Sequence, residues 1–335
     1  MRIPFLDGFL ASMLIAITIA ALAPQLGVSG GLLHLDRVTM VGVAIVFLLS
    51  GAGLSTDKLK AGAANWRLHL FVQLFTFAVF PLVGLLVTAV AGRWLPHELT
   101  IGFFYLCVLP STVSSSIAMT AMARGNVAGA VFNATLSSLI GMLLTPLYIS
   151  LWMQAASQGA PLLEQLLKIG EQLLLPFIVG QLLRPWIGAW IGRNKPITGK
   201  VDRAVIVLIV FNSFSDATAA GVWTRYGVVP LLATAAMTGG LLAFVLWLTH
   251  LVARRFGFNV EDEIAAVFCG SKKSLAAGAP MAALIFGGSG GALGLIMLPI
   301  MIYHQLQLIV CSVIARRYAQ RKAPVVNGKA GNLVS

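Results

Sequence analysis

The sequence predicts an all-α membrane protein with ten transmembrane helices. Three observations carry that expectation: an apolar composition, ten long apolar segments, and a one-sided distribution of basic residues. The 335-residue chain is 58% hydrophobic and only 10% charged, with a mean hydropathy of +0.90. A soluble domain carries about 25% charged residues. This much apolar surface needs lipid as its solvent, so the first partner is a bilayer. The apolar runs are continuous rather than alternating every second residue, which argues against a transmembrane β-barrel.

Ten segments are long enough to span at roughly 20 residues each. They run over Phe5–Ala23, Val38–Leu54, Trp66–Ala91, Leu99–Met122, Val127–Met153, Leu163–Arg184, Val201–Val222, Val228–Val252, Ile264–Phe286 and Ala292–Ile314. The first could pass for a signal peptide, because Ala21-Leu22-Ala23 resembles a cleavage site. Asp7 in its short leading region and Pro24 directly after it favour a retained helix. The stretch 319–335 is polar and basic and reads as a disordered tail.

The net charge of +12 is explained by topology rather than by nucleic acid. With ten spans, sixteen Lys and Arg residues fall on the side shared by both termini. They include Lys58, Lys60, Arg193, Lys195, Arg254, Arg255, Arg316 and Arg317. Only Arg37, Arg93, Lys168 and Arg225 fall on the other. Basic residues gather on the cytoplasmic side. Both termini are therefore expected in the cytoplasm, with the protein in the cytoplasmic (inner) membrane.

The chain also looks repeated. LIGMLLTPLYI (139–149) in segment five parallels LGLIMLPIMIY (293–303) in segment ten. Five helices per repeat make the halves 1–153 and 154–318 opposite in orientation, which is the plan of secondary transporters. Such proteins bind where helices are broken at the midplane. Segment four breaks at Pro110, which removes a backbone donor. The run Ser111-Thr112-Val113-Ser114-Ser115-Ser116 follows, with hydroxyls able to satisfy freed backbone groups. Segment nine breaks at Gly270, followed by Ser271-Lys272-Lys273-Ser274. Small residues after each break (Ala118 and Ala121; Ala276, Ala277 and Gly278) would let the two helices cross.

Two lysines within a membrane segment are costly and mark a functional site by default. The bland alternative is a loop that leaves both among lipid headgroups. Other polar residues point to the same core: Thr76 with Gln73, Asn133, Thr135, Ser137, Ser138, His304, Gln305 and Gln307. Each alone is an ordinary interhelical hydrogen bonder. Asp216 is the one acid deep in an apolar region. Cys107, Cys269 and Cys311 are far apart and form neither a disulfide framework nor a metal motif. The histidines are scattered and no HExxH-type motif is present, so nothing points to an enzyme, a cofactor or a metal.

At these residues the chain resembles the bile acid:sodium symporter family. The similarity lies in the proline and Ser/Thr-rich break of segment four, ARGN (123–126) and LLTP (143–146). GSKKS, LAAGAPM (275–281) and YHQLQLIV (303–310) look like its divergent, bile-acid-symporter-like branch. That branch includes bacterial proteins and a vertebrate member linked to calcium homeostasis. The resemblance implies a panel of helices one, two, six and seven, and a core of the other six in which helices four and nine cross. It implies a small organic anion as substrate, held between panel and core.

The family's coupling residues are missing here. Its helix-nine glutamate falls on Phe268, the following glutamine on Lys272, its helix-three glutamine on Thr76, and its Ser-Asn pair on Ser115-Ser116. Losing a carboxylate and gaining two ammonium groups disfavours a sodium ion. Lys272 is expected where sodium sits in relatives, donating to half-helix carbonyls and the hydroxyls of segment four. There it would serve as a titratable proton carrier or as a permanent tethered cation. Lys273 could face the substrate. Two alternatives stay open: a sodium site built from other ligands, and a membrane regulatory or binding protein that does not transport.

Overall fold

The computed structural model describes residues 8–53, 65–155, 162–288 and 291–321. Most of the expected tail, and the basic loop residues Lys58 and Lys60, lie outside them. Among the described residues the fold is all helical, with no strand. In chain order the helices are α1 (Gly8–Leu22), α2 (Leu35–Gly53), α3 (Trp66–Ala91), α4 (His97–Val108), α5 (Ser114–Met122), α6 (Val127–Ala155) and α7 (Leu162–Arg193). There follow α8 (Lys195–Ala219), α9 (Val222–Tyr226), α10 (Val229–Arg255), α11 (Val260–Gly270), α12 (Leu275–Phe286) and α13 (Leu293–Ala319).

Six of these are long and apolar enough to cross a membrane: α2, α3, α6, α7, α10 and α13. At 1.5 Å per residue, the 27 residues of α10 reach about 40 Å, beyond the roughly 30 Å of hydrocarbon. The apolar helices α1 and α4 are shorter. Exposed side chains along these helices are apolar, among them Leu14, Ile45, Leu86, Leu182 and Trp247. Such a surface is stable only against lipid.

Local signals place the helix starts. Asn65 caps α3 by accepting from the Leu68 N–H. Asn259 caps α11 by accepting from the Asp262 N–H, and Glu261, Asp262 and Glu263 fill the positive first turn. Ser274 restarts the helix at α12 by accepting from the Ala277 N–H.

Helix α2 lies along α7, α1 along α8, and α8 also meets α2. Small residues make the first of these contacts close. A side chain on Gly51 would collide with the Phe177 carbonyl, and one on Gly180 with the Leu48 carbonyl. The other large contacts run α4 to α13, α3 to α4, and α10 to α11 and α13. The two interrupted helix pairs, α4–α5 and α11–α12, meet within this second group.

Candidate functional site

Helix α4 stops where its chemistry requires. Leu109 precedes Pro110 and turns extended, with φ −69° and ψ 153°, as residues before proline do. A helix end leaves its last carbonyls without intrahelical donors. Here four successive carbonyls, from Cys107 to Pro110, receive donors from elsewhere. The Thr145 hydroxyl donates to Val108 O at 2.8 Å, and the Ser274 N–H to Pro110 O at 2.9 Å. The ammonium of Lys273 donates to Cys107 O at 2.8 Å and Leu109 O at 2.7 Å.

Helix α11 ends in the same way. Val267 O accepts from both the N–H and the hydroxyl of Ser271. Phe268 O accepts from the Ser116 hydroxyl at 3.1 Å, and Cys269 O from the Ser111 hydroxyl at 2.6 Å. The Ser/Thr run of one break therefore satisfies the carbonyl end of the other. Within that run the Thr112 and Ser116 hydroxyls lie 2.7 Å apart, and Ser115 donates to Thr112 at 2.8 Å. Ser111 N–H donates to Ser137 Oγ at 2.9 Å.

The third carbonyl on Lys273 comes from a defect in α3. Between Phe75 and Val79 the helix widens to a π turn, and the Phe80 N–H bonds back to Phe75 O. The next residue, Pro81, has no N–H. Thr76 O is left with neither its α nor its π donor, and Lys273 Nζ fills the vacancy at 3.0 Å. The ammonium thus makes three bonds with three N–H groups, and lies 4.1 Å from the centre of the Phe80 ring, a further favourable cation contact. Its own backbone is held on both sides by Gln307, which accepts from Lys273 N–H at 2.9 Å and donates to Lys273 O at 2.7 Å.

Lys272 differs. Its ammonium donates to one carbonyl, Ser115 O, at 2.9 Å, and lies 5.3 Å from the Phe268 ring. Both lysines are fully buried. Among the described residues neither has a carboxylate within ion-pair distance. The stretch 271–274 is non-helical, so the neighbouring side chains diverge. The ammonium among the half-helix carbonyls of α4 belongs to Lys273, and that of Lys272 reaches the start of α5.

The remaining candidates divide. Thr76 reaches the cluster through its carbonyl, while its hydroxyl bonds Val72 O. His304 joins through Gln307, at 2.9 Å. Asn133 is buried and accepts from Gln73 Nε2 at 3.3 Å. Thr135 bonds back to Val131 O. Ser114 is exposed, and Gln305 Nε2 is buried without a hydrogen-bond partner. Asp216 lies elsewhere. It accepts from the Ser29 N–H at 2.7 Å and the Ser29 hydroxyl at 2.6 Å, while Asn212 Nδ2 donates to Gly27 O at 2.8 Å. Asp216 thus pins the turn between α1 and α2 onto α8. Asp216→Ala should free that turn and speed amide exchange over residues 27–31 at least tenfold; unchanged exchange would show that the contact holds nothing.

Tyr105 and Tyr303 also shape the site, donating to Gly278 O and Ser271 O at 2.7 Å each. Tyr303 belongs to the YHQLQLIV stretch, but only the packing of α13 against the break assigns its hydroxyl to Ser271 O. At the far end of α11, Asp262 accepts from Asn65 Nδ2 at 2.8 Å and Asn126 Nδ2 at 2.7 Å. That explains the asparagine of ARGN: it ties the turn between α5 and α6 to α11.

A bundle of lipid-facing helices, interrupted by two breaks that close on each other around buried cations, has the build of a membrane transporter. The comparisons agree. The chain belongs to the SBF-like CPA transporter family, matched over residues 7–320. It is 45% identical to "Uncharacterized protein PA2026" of Pseudomonas aeruginosa, over 94% of each chain. It is 44% identical to "Putative symporter YfeH" of Escherichia coli, again over 94% of each. It is 32% identical to "Sodium/bile acid cotransporter 7" of Mus musculus, over 92% of this chain and 91% of the relative. The protein is a multi-pass membrane transporter and not an enzyme.

Proposed function

We propose that this chain is a secondary transporter of small organic anions that works by alternating access without sodium coupling. The reading includes ten spans in two oppositely oriented repeats, 1–153 and 154–318, with panel and core groups of helices and both termini in the cytoplasm. The observation that carries it is Lys273, whose ammonium already occupies the carbonyl oxygens at the end of α4, where a half-helix terminus would hold a coupling cation. A cation fixed to the chain cannot leave with a gradient. Lys272 keeps two ammonium protons beyond its bond to Ser115 O, close to the N-terminal end of α5. Half-helix N-termini attract anionic substrate groups. An anion held there would meet Lys272, Ser114 and Ser115, and Lys272 would serve either as proton carrier or as permanent charge.

A sodium-dependent reading has one observation in its favour, the name of the mouse relative. Uptake of a panel of carboxylates and sulfates into proteoliposomes separates the two. Replacing sodium by choline should leave the rate unchanged. An uptake that falls more than tenfold without sodium overturns the proposal, and so does the absence of flux under every imposed gradient. Lys272→Gln should lower uptake at least tenfold or alter its pH profile.

A further inference from the structure

A groove of about 460 Å³ opens between α10 and α13, with Val267 of α11 at its back. That volume is in the range of small-molecule sites. Its apolar part is lined by Leu246, Trp247, Val267 and Ile314, and its polar end by His250, Arg317, Tyr318 and Arg321. The groove faces the bilayer, because Trp247, Leu251, Val310 and Val313 around it are exposed and apolar. Its polar end coincides with the basic last turns of both helices, Arg254 and Arg255 in α10 and Arg316 and Arg317 in α13. It therefore spans from acyl-chain depth to the headgroup layer.

The charges at that end are not self-cancelling. Glu263, which reaches two of the lining side chains, is already engaged: His250 Nδ1 lies 2.9 Å away, the Tyr318 hydroxyl donates at 2.8 Å, and Arg254 Nε lies at 3.4 Å. Arg321 donates to Ala123 O, Arg124 O and Glu261, so it is a fixed structural cation. The guanidinium of Arg317 has no ion-pair partner among the described residues. An apolar channel ending at the membrane surface in an arginine with no ion-pair partner among the described residues is complementary to a lipid with an anionic headgroup.

We propose that this groove is a binding site for an anionic phospholipid, with one acyl chain along Leu246, Val267 and Ile314 and the phosphate at Arg317. The site lies against the transport machinery. Tyr318 packs edge-on to Phe268 with ring centres 6.4 Å apart, and Phe268 carries Lys272 on its ring. A bound lipid would brace α11 between α10 and α13.

The test uses the purified full chain in nanodiscs and in mixed micelles. Phosphatidylglycerol should raise the thermal midpoint above that in phosphatidylcholine. Arg317→Gln should weaken phosphatidylglycerol binding about fivefold, the loss expected for one arginine near the surface. Ile314→Trp, which fills the apolar channel, should weaken it too. Arg316→Gln, one residue away and outside the groove, should leave it unchanged. Equal stabilisation by phosphatidylcholine, or equal losses at Arg316 and Arg317, would overturn the site. So would a full effect from soluble glycerol phosphate, which would mean a phosphate pocket rather than a lipid one. The readout is lipid binding, so failure here and failure of anion transport are told apart.

Discussion

Lys273→Met should lose several kcal/mol of stability while keeping most of the side-chain volume. The wild-type ammonium is the donor to Thr76 O, Cys107 O and Leu109 O at 2.7–3.0 Å. None has a ready replacement. The N–H four residues beyond Thr76, that of Phe80, is given to Phe75 O, and the next residue is a proline. The N–H four residues beyond Cys107 is that of Ser111, already given to Ser137. Leu109 lies past the last turn of α4. Each buried acceptor left without a donor costs about 1–3 kcal/mol, partly offset because an ammonium need no longer be desolvated. A net loss of about 3 kcal/mol or more is a large share of the roughly 5–15 kcal/mol that holds a typical fold. Lys272→Met, which frees one carbonyl, should lose distinctly less. The measurement is thermal unfolding of the two purified variants beside wild type. A wild-type midpoint for Lys273→Met would contradict the cage. Lys273→Ala, which also opens space, should gain stability from added sodium where the unaltered protein does not.

The second large effect belongs to the α2–α7 contact. Gly180→Leu places a side chain where the Leu48 carbonyl lies, and Gly51→Val does the same against the Phe177 carbonyl. The obstacle is backbone, so no rotamer relieves it. The helices must part, which also breaks the 2.8 Å bond from Gln181 Nε2 to Gly51 O. Overpacking a core costs about 1–3 kcal/mol when side chains can yield, and more is expected here because they cannot. Gly180→Leu should therefore yield little monodisperse protein in detergent. Gly192→Leu, on the same helix with open space around it, should behave as wild type. Equal yields from both would show that α2 and α7 do not approach so closely.

Much of the architecture was legible because lipid imposes a simple rule. Backbone polar groups must be satisfied within the protein, so apolar runs become helices, and interruptions occur only where other groups take over the backbone. Pro110 and Gly270 marked the interruptions, and the hydroxyls of Ser111 and Ser116 were the expected substitutes. Tyr105 and Thr145 were not singled out for the site, because a polar side chain in a membrane helix looks the same whether it serves a neighbour or a ligand. Asp216 shows the converse. Its depth in an apolar segment suggested the transport site, but it belongs to the turn at Ser29, which nothing local in the sequence marks.

The sequence alone determined that this protein lives in lipid, that two of its segments are broken, and that two lysines sit at one of the breaks. Only the tertiary structure decided what each lysine does. Their partners are backbone carbonyls, and every residue carries the same carbonyl. Whether one is vacant depends on a π turn, a proline and the end of another helix meeting at one point, and the pattern of side chains does not encode that meeting. Lys273 is thereby held by three carbonyls and Lys272 by one, although they are neighbours in the chain.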